Sequence, residues 1–126
     1  MEKQNKMDLP TSNPLFIIPV STGLIFLIVG FIMMKFPPKK INGLYGYRTS
    51  SSMKNQARWD FAQHYSAQEM MKLGVILALT GLLGFIIHAN EKTATLIGIS
   101  FMIALVVVLF IRVESAIKNK FNSEEG

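Results

Sequence analysis

Two side chains in the middle of the chain have the spacing of a shared catalytic or metal-binding pair. Asp60 and His64 are four residues apart, so a helix would place both on one face, with Glu69 about a turn further on. A carboxylate and an imidazole so placed can bind a metal ion or share a proton. On an exposed helix face, however, such a pair is usually a solvated ion pair. We therefore predict no metal site and no catalytic residues here.

Two further short motifs lack the context that their chemistry requires. Gly43 and Gly46 form a GxxG pattern, but no strand precedes it and no Lys-Ser/Thr pair follows it, as a phosphate-binding loop would need. The serine triplet at 50–52 has no histidine in the same loop to activate it. The chain contains no cysteine, which excludes disulfides and thiol catalysis. We expect a protein that is not an enzyme and holds no metal or cofactor.

The segment 41–50, INGLYGYRTS, is polar and glycine-bearing although it lies between hydrophobic runs. Gly43 and Gly46 within four residues indicate a tight backbone path, and Asn42 tolerates turn conformations. Arg48 presents a rigid fork of donors that could tie the loop to carbonyl groups at the ends of spans, or bind a headgroup phosphate. We predict a structured loop that lies against the membrane interface.

A simpler interpretation of the same residues stays open. Tyr45, Tyr47 and Trp59 are residue types that collect at membrane interfaces, and Arg48 would serve only to orient the chain. This interpretation does not account for the two glycines.

The elements that must position this segment are apolar. Of the 126 residues, 50% are hydrophobic and 17% charged, too few charges for the surface of an ordinary soluble domain. Three runs are close to the length that crosses a bilayer, which predicts an all-α integral membrane protein with spans at 15–36, 70–88 and 94–112. We expect the first run to be a retained span and not a signal peptide, because Lys35, Lys39 and Lys40 follow its twenty apolar residues, where a signal peptide would have a small-residue cleavage site.

The remaining segments complete a single membrane domain, 1–126. Ser51 or Ser52 is the predicted N-cap of a helix that continues into the second span. The connecting segments are an outer tail at 1–14, a cytoplasmic motif loop and helix at 37–69, an outer turn at 89–93 and a cytoplasmic tail at 113–126.

The basic residues predict an orientation, because Lys and Arg near span ends stay on the cytoplasmic side. Ten of the 13 Lys and Arg residues flank one side of the predicted spans, which places the N-terminus outside and the C-terminus inside. Facing anionic lipids of the inner leaflet accounts for the net charge of +5 without nucleic acid, for which no reader motif is present. The ten are Lys35, Lys39, Lys40, Arg48, Lys54, Arg58, Lys72, Arg112, Lys118 and Lys120.

Small residues recur four apart within the spans, a spacing that lets helices approach closely in lipid. We expect them to pack the three helices of one chain together, although a homodimer seam stays open. The pairs are Gly74 with Ala78, Thr80 with Gly84, Ala94 with Gly98, and Ser100 with Ala104.

The hydroxyl groups inside the spans offer a further alternative. Such groups usually bond to their own helix backbone, but in an oligomer they could line a pore. They belong to Ser21, Thr22, Thr80 and Ser100.

The run PPKKINGLYGYRTSSSMKNQARW resembles the signature of the SdpI family of small bacterial membrane proteins. The resemblance covers roughly residues 36–88, and the sequence departs from the pattern at Ser50, Gln63–His64 and Ala67. It implies that the motif residues form the functional loop. These residues are Pro38, Asn42, Gly46, Tyr47, Arg48, Thr49 and Trp59.

The resemblance implies immunity: family members protect the producing cell from a secreted, membrane-active peptide toxin, and some signal to a cytoplasmic regulator. The expected partners are the bilayer of the bacterial cytoplasmic membrane, a peptide toxin and a regulator. Two other functions stay open. One is a small oligomeric transporter or pore, and the other is a membrane anchor for a cytoplasmic regulator.

Overall fold

The computed structural model describes residues 12–122 and consists of three long helices. Helix α1 spans Pro14–Lys35, and helix α2 spans Gln56–Thr80, which a 3₁₀ turn at Gly81–Phe85 extends. Helix α3 spans Glu91–Ile117 and ends in a π-helical turn, Lys118–Asn122. No strand occurs within this described range. The predicted all-α fold is confirmed.

All three helices are long and apolar enough to cross a membrane. The segments that qualify are Pro14–Lys35 with 22 residues, Gln56–Phe85 with 30 and Glu91–Phe121 with 31. In the 18-residue apolar stretch of each helix, only 28%, 33% and 17% respectively is buried inside the protein. A soluble protein could not leave so much apolar surface in water, whereas a bilayer core accepts it. The chain is therefore a multi-pass membrane protein.

Each helix begins with an asparagine whose side chain caps it. The Oδ1 atoms of Asn13, Asn55 and Asn90 accept hydrogen bonds from backbone N–H groups of the first turn, at 2.8–2.9 Å. Each bond satisfies a donor that a helix start leaves without a partner. The prediction of Ser51 or Ser52 as the cap of α2 is wrong, because the chain first makes a turn and the cap is Asn55.

The helices extend beyond the predicted spans. Helix α2 begins at Gln56, well before the predicted span start at 70, and α3 begins at Glu91, inside the predicted outer turn at 89–93. The predicted cytoplasmic tail at 113–126 starts as the last turns of α3 and the π-helical turn. Residues 123–126 of that tail, and 1–11 of the predicted outer tail, lie outside the described residues.

Helices α1 and α2 pack with their backbones almost in contact. A Cβ atom built on Gly23 would lie 2.6 Å from the carbonyl oxygen of Gly74, and one built on Gly74 would lie 2.8 Å from that of Gly23. A Cβ on Gly30 would lie 2.9 Å from the Ala67 oxygen. The predicted packing of Gly74 and Ala78 within one chain is confirmed, whereas Ser100 and Ala104 are exposed.

We expect Gly74→Val to lower the thermal unfolding midpoint in detergent, because the added methyl groups must push α1 away at a cost of about 1–3 kcal/mol. Gly43→Val is the control, since a Cβ on Gly43 meets nothing within 4 Å. Equal midpoints for the two variants would contradict the close approach of α1 and α2.

A buried apolar cluster joins the loop between α1 and α2 to the end of α3. Val113 and Ile117 of α3 have no exposed surface, and Tyr47 and Phe121 are 8% exposed. Ala62 of α2 belongs to the same cluster. The last turns of α3 therefore pack against the loop rather than leaving the protein.

Candidate functional site

The segment between α1 and α2, residues 36–55, is here called the motif loop. Its first turn is built by Asn42, whose Oδ1 accepts hydrogen bonds from the N–H groups of Leu44 at 2.8 Å and Tyr45 at 2.7 Å. The Asn42 Nδ2 donates to the Lys40 carbonyl at 2.9 Å. An asparagine side chain that bonds its own backbone in this way fixes a turn without a regular helix.

Two bonds fasten the start of the motif loop to the first turns of α2. Trp59 is fully buried, and its Nε1–H donates to the carbonyl oxygen of Pro38 at 2.7 Å. The Gln56 Nε2 donates to the carbonyl oxygen of Lys39 at 2.7 Å. The family motif residues Pro38 and Trp59 therefore meet directly, although 21 positions separate them.

The side-chain amide of Gln63 in α2 bonds both backbone groups of Tyr47, at the centre of the motif loop. The Tyr47 N–H donates to Gln63 Oε1 at 2.6 Å, and Gln63 Nε2 donates to the Tyr47 carbonyl at 2.8 Å. Gln63 is 1% exposed, so these bonds satisfy groups that water cannot reach. We call this pair of bonds the Gln63 latch.

Gly46 is required at the Gln63 latch on two grounds. Its φ of +115° lies where residues with a side chain are strained. A Cβ there would also lie 2.5 Å from Gln63 Oε1 and 2.8 Å from the Pro38 ring. The glycine of the family motif therefore lets the loop backbone reach the Gln63 amide.

The next turn of the motif loop is closed by Thr49 and Ser52. The fully buried Ser52 hydroxyl donates to the Tyr47 carbonyl at 3.0 Å and accepts from the Thr49 N–H at 2.9 Å. The Ser52 N–H donates to Thr49 Oγ1 at 3.1 Å. The predicted capping serine is thus a structural member of the loop.

Glu114 of α3 fastens the same stretch from the other side. Its Oε2 accepts hydrogen bonds from the Tyr47 hydroxyl at 2.6 Å and from Thr49 Oγ1 at 2.8 Å. We call this the Glu114 latch. Burial, together with the bond to the Glu114 carboxylate, raises the pKa of the Tyr47 phenol above its usual range, so Tyr47 stays a neutral donor at physiological pH.

A charged group ties α2 to α3 close to the loop. Glu69 is 2% exposed, and its carboxylate pairs bidentately with the Arg112 guanidinium, with Nη2 and Oε2 at 3.2 Å. Lys72 lies 3.4 Å from the same carboxylate. The pair with Arg112 joins α2 to α3, whereas Lys72 lies on α2 itself. With both cations beside it, the buried carboxylate is not an isolated ion.

Arg48 differs from the other motif residues, since its side chain is exposed and makes no hydrogen bond or ion pair with any described residue. The predicted tie between Arg48 and carbonyl groups at span ends is not found within that range. Arg48 instead lines the mouth of a cleft of about 370 Å³ between the motif loop and the helices. Arg48 is thus the one predicted site residue with a polar side chain that has no bonding partner among the described residues.

The structure brings six of the seven predicted site residues into one assembly. Pro38 and Trp59 are bonded to each other, and Tyr47 and Thr49 are bonded to the helices. Asn42 bonds within the loop, and Gly46 packs against Gln63. Sequence reasoning missed three residues of that assembly. Gln63 carries a signal, because it follows Trp59 by four residues and so shares its helix face. Ser52 lies within the serine triplet, but Glu114 has no local signal. The six are Pro38, Asn42, Gly46, Tyr47, Thr49 and Trp59.

Asp60 and His64, the pair with the spacing of a shared metal or catalytic site, are not bonded to each other. Asp60 Oδ1 accepts from Gln56 Nε2 at 2.8 Å, which is the (i, i+4) bond of an exposed helix face. His64 is exposed, and no hydrogen bond connects it to Asp60. Both side chains are exposed on the helix face, but the expected ion pair between them does not form.

Three of the four hydroxyl groups in the spans bond their own helix backbone, as expected. Ser21 donates to the Ile17 carbonyl at 2.6 Å, Thr80 to that of Leu77 at 2.6 Å, and Ser100 to that of Leu96 at 2.7 Å. Their donors are occupied, which weakens the pore interpretation.

Comparisons with known proteins identify the family of this chain. The model of the SdpI/YfhL protein family matches residues 39–113, which is more than half of the chain and includes most of the motif loop. The uncharacterized protein YfhL of Bacillus subtilis strain 168 is 38% identical over 104 residues, covering 82% of this chain and 89% of the relative. No solved structure matches. This chain therefore belongs to the SdpI/YfhL protein family.

Proposed function

We propose that this chain is a membrane immunity protein that protects a bacterial cell from a secreted, membrane-active peptide toxin. Membership of the SdpI/YfhL family supports an immunity-type role in the membrane. The three apolar helices support a site of action inside the bilayer, where such a toxin accumulates. The activity is binding or neutralisation, not catalysis.

The observation that best supports the proposal is that the motif loop is bonded both to α2 and to α3. The Gln63 latch fixes Tyr47 to α2, and the Glu114 latch fixes the same residue to α3. A toxin that packs between or against these helices and shifts α3 relative to α2 changes the geometry of both latches. The motif loop would then stabilise the bound arrangement and carry it to a regulator on the same side of the membrane.

We place the motif loop in the cytoplasm, because ten basic residues lie on its side of the spans. Because the chain has no cysteine, single-cysteine variants report the topology directly. We expect a membrane-impermeant maleimide to label Thr93→Cys in intact cells and Ser50→Cys only after permeabilisation. The opposite pattern would reverse the orientation.

Survival under toxin tests the function. A toxin-sensitive bacterial strain that expresses this chain is challenged with a panel of membrane-active peptide toxins, beside the empty strain. We expect protection against at least one toxin by the wild type and its loss in Arg48→Ala, because Arg48 is the motif residue whose side chain the fold itself does not use. Membrane abundance should be unchanged for the same reason.

Lys54→Ala is the matched control, since Lys54 is an exposed cation of the same loop. Protection by Arg48→Ala equal to that of the wild type would remove Arg48 from the mechanism. No protection by the wild type at confirmed membrane abundance would contradict the immunity function.

The pore and the simple anchor are less well supported. The span hydroxyls that would line a pore already donate to their own helices. Flux through vesicles containing the purified protein would be the result that favours a pore over immunity.

A further inference from the structure

The cleft beside the motif loop has walls from every part of the fold. Val29 and Met33 of α1, Met70 of α2 and Phe110 of α3 supply apolar surface, and Arg48 of the loop stands among the lining residues. Its volume of about 370 Å³ falls in the range of small-ligand sites. Tyr45, Tyr47 and Ser66 add polar groups to the lining. The cleft is therefore open and largely apolar, and the Arg48 guanidinium is the one charged group that lines it.

The position of the cleft along the helices sets what can reach it. Met33 lies two residues before the end of α1 at Lys35, and Phe110 lies two residues before Arg112. These positions mark the boundary where the apolar helix surface gives way to basic side chains. A ligand in the cleft would thus have its apolar part at the depth of the acyl chains and its polar part at the headgroups.

The charge in the cleft is not neutralised from within. Two carboxylates of the neighbouring helices are engaged elsewhere: Glu114 accepts from Tyr47 and Thr49, and Glu69 is paired with Arg112 and Lys72. Arg48 has no ion pair among the described residues. A guanidinium at an apolar cleft attracts an anion, and its planar fork matches two oxygens of a phosphate.

We propose that this cleft binds one anionic phospholipid of the membrane leaflet that the motif loop faces. The headgroup phosphate is held by Arg48, and the upper part of an acyl chain lies between Met33, Met70 and Phe110. The apolar walls distinguish this ligand from free phosphate, and the single unneutralised cation distinguishes an anionic lipid from a zwitterionic one. The bound lipid would brace the ring of Tyr47, which packs on Phe110 with centroids 5.5 Å apart.

Native mass spectrometry of the full chain in detergent tests the proposal. The delipidated protein is incubated with phosphatidylglycerol, phosphatidylcholine or inorganic phosphate at equal concentration. We expect phosphatidylglycerol to be retained as a one-to-one adduct, and the fraction bound to fall about tenfold in Arg48→Gln, the loss expected for a charge-assisted hydrogen bond. Lys54→Gln should bind as the wild type does, because Lys54 has the same charge but does not line the cleft.

A second variant tests the apolar part without touching the charge. Val29→Trp fills the cleft from α1, and we expect it to lower retention of phosphatidylglycerol several-fold while Arg48 stays in place. Equal retention by Arg48→Gln and the wild type would overturn the proposal, as would equal adducts with both lipids. Displacement of the lipid by inorganic phosphate at similar concentration would show an anion site without an acyl chamber. This test needs no toxin, so its failure leaves the immunity proposal standing.

Discussion

Replacing Gln63 with leucine should release the motif loop from α2 and lower the free energy of unfolding by about 2–5 kcal/mol. Leucine keeps the volume of the side chain but removes two hydrogen bonds. The buried N–H of Tyr47 is left without a partner, whereas the Tyr47 carbonyl keeps its bond from Ser52. A buried polar group that loses its partner costs its full desolvation, which explains the size of the effect. Unfolding in mixed micelles, followed by the fluorescence of the single tryptophan, Trp59, measures it.

Gln68→Leu is the control for this variant. It makes the same chemical change on the same helix, but Gln68 is exposed. We expect its free energy of unfolding to stay within about 0.5 kcal/mol of the wild type. If the two variants unfolded alike, the Gln63 latch would not hold the loop.

Glu114→Ala should detach the motif loop from α3 and cost about 2–4 kcal/mol. The change removes two hydrogen bonds to a charged acceptor, those from Tyr47 and Thr49, in a partly buried site. The effect should be smaller than that of Gln63→Leu, because Glu114 is only half-buried and water can reach the groups left behind. The same micelle titration measures the difference.

Glu91→Ala removes a carboxylate from the same helix at a position that is exposed. Glu91 lies in the first turn of α3, where a negative charge stabilises the helix by about 0.3–1 kcal/mol. Its removal should therefore cost less than that of Glu114. A larger loss for Glu91→Ala would show that charge at the ends of α3, rather than the Glu114 latch, sets the stability.

The membrane character and the three helices could be predicted from the sequence because they depend on composition and length alone. A helix in lipid needs about 20 apolar residues and internal backbone bonds, and no long-range contact is required to see either. The close approach at Gly74 was also predictable, since spacing of small residues is a local property. The bonds that hold the motif loop to α2 and α3 could not be predicted in this way, because they join residues that are far apart in the sequence.

Glu114 shows why. It lies 67 positions from Tyr47 and 65 from Thr49, and only the packing of α3 against the loop brings them together. A glutamate just beyond a predicted span looks like any solvated end of a helix. Gln63 was at a position where the sequence departs from the family pattern, so its role was visible only once Gly46 had been placed beside it.

Two predictions failed for a shared physical reason. Serine is a good helix cap, but Ser52 forms the turn with Thr49 instead, and Asn55 takes the cap. Arginine is a good partner for carbonyl groups, but those that follow α1 already accept hydrogen bonds from Tyr45, Trp59 and Gln56. In both cases another hydrogen bond formed in place of the predicted one, and the sequence alone does not show which of the two is stronger.

We infer that the motif loop must be fastened to α3 if the protein is to protect the cell as proposed. The most direct test is survival under toxin of cells that carry Glu114→Ala or Glu91→Ala, matched for membrane abundance. The account predicts that Glu114→Ala cells die with the unprotected strain while Glu91→Ala cells survive with the wild type. Equal survival of both variants would contradict it.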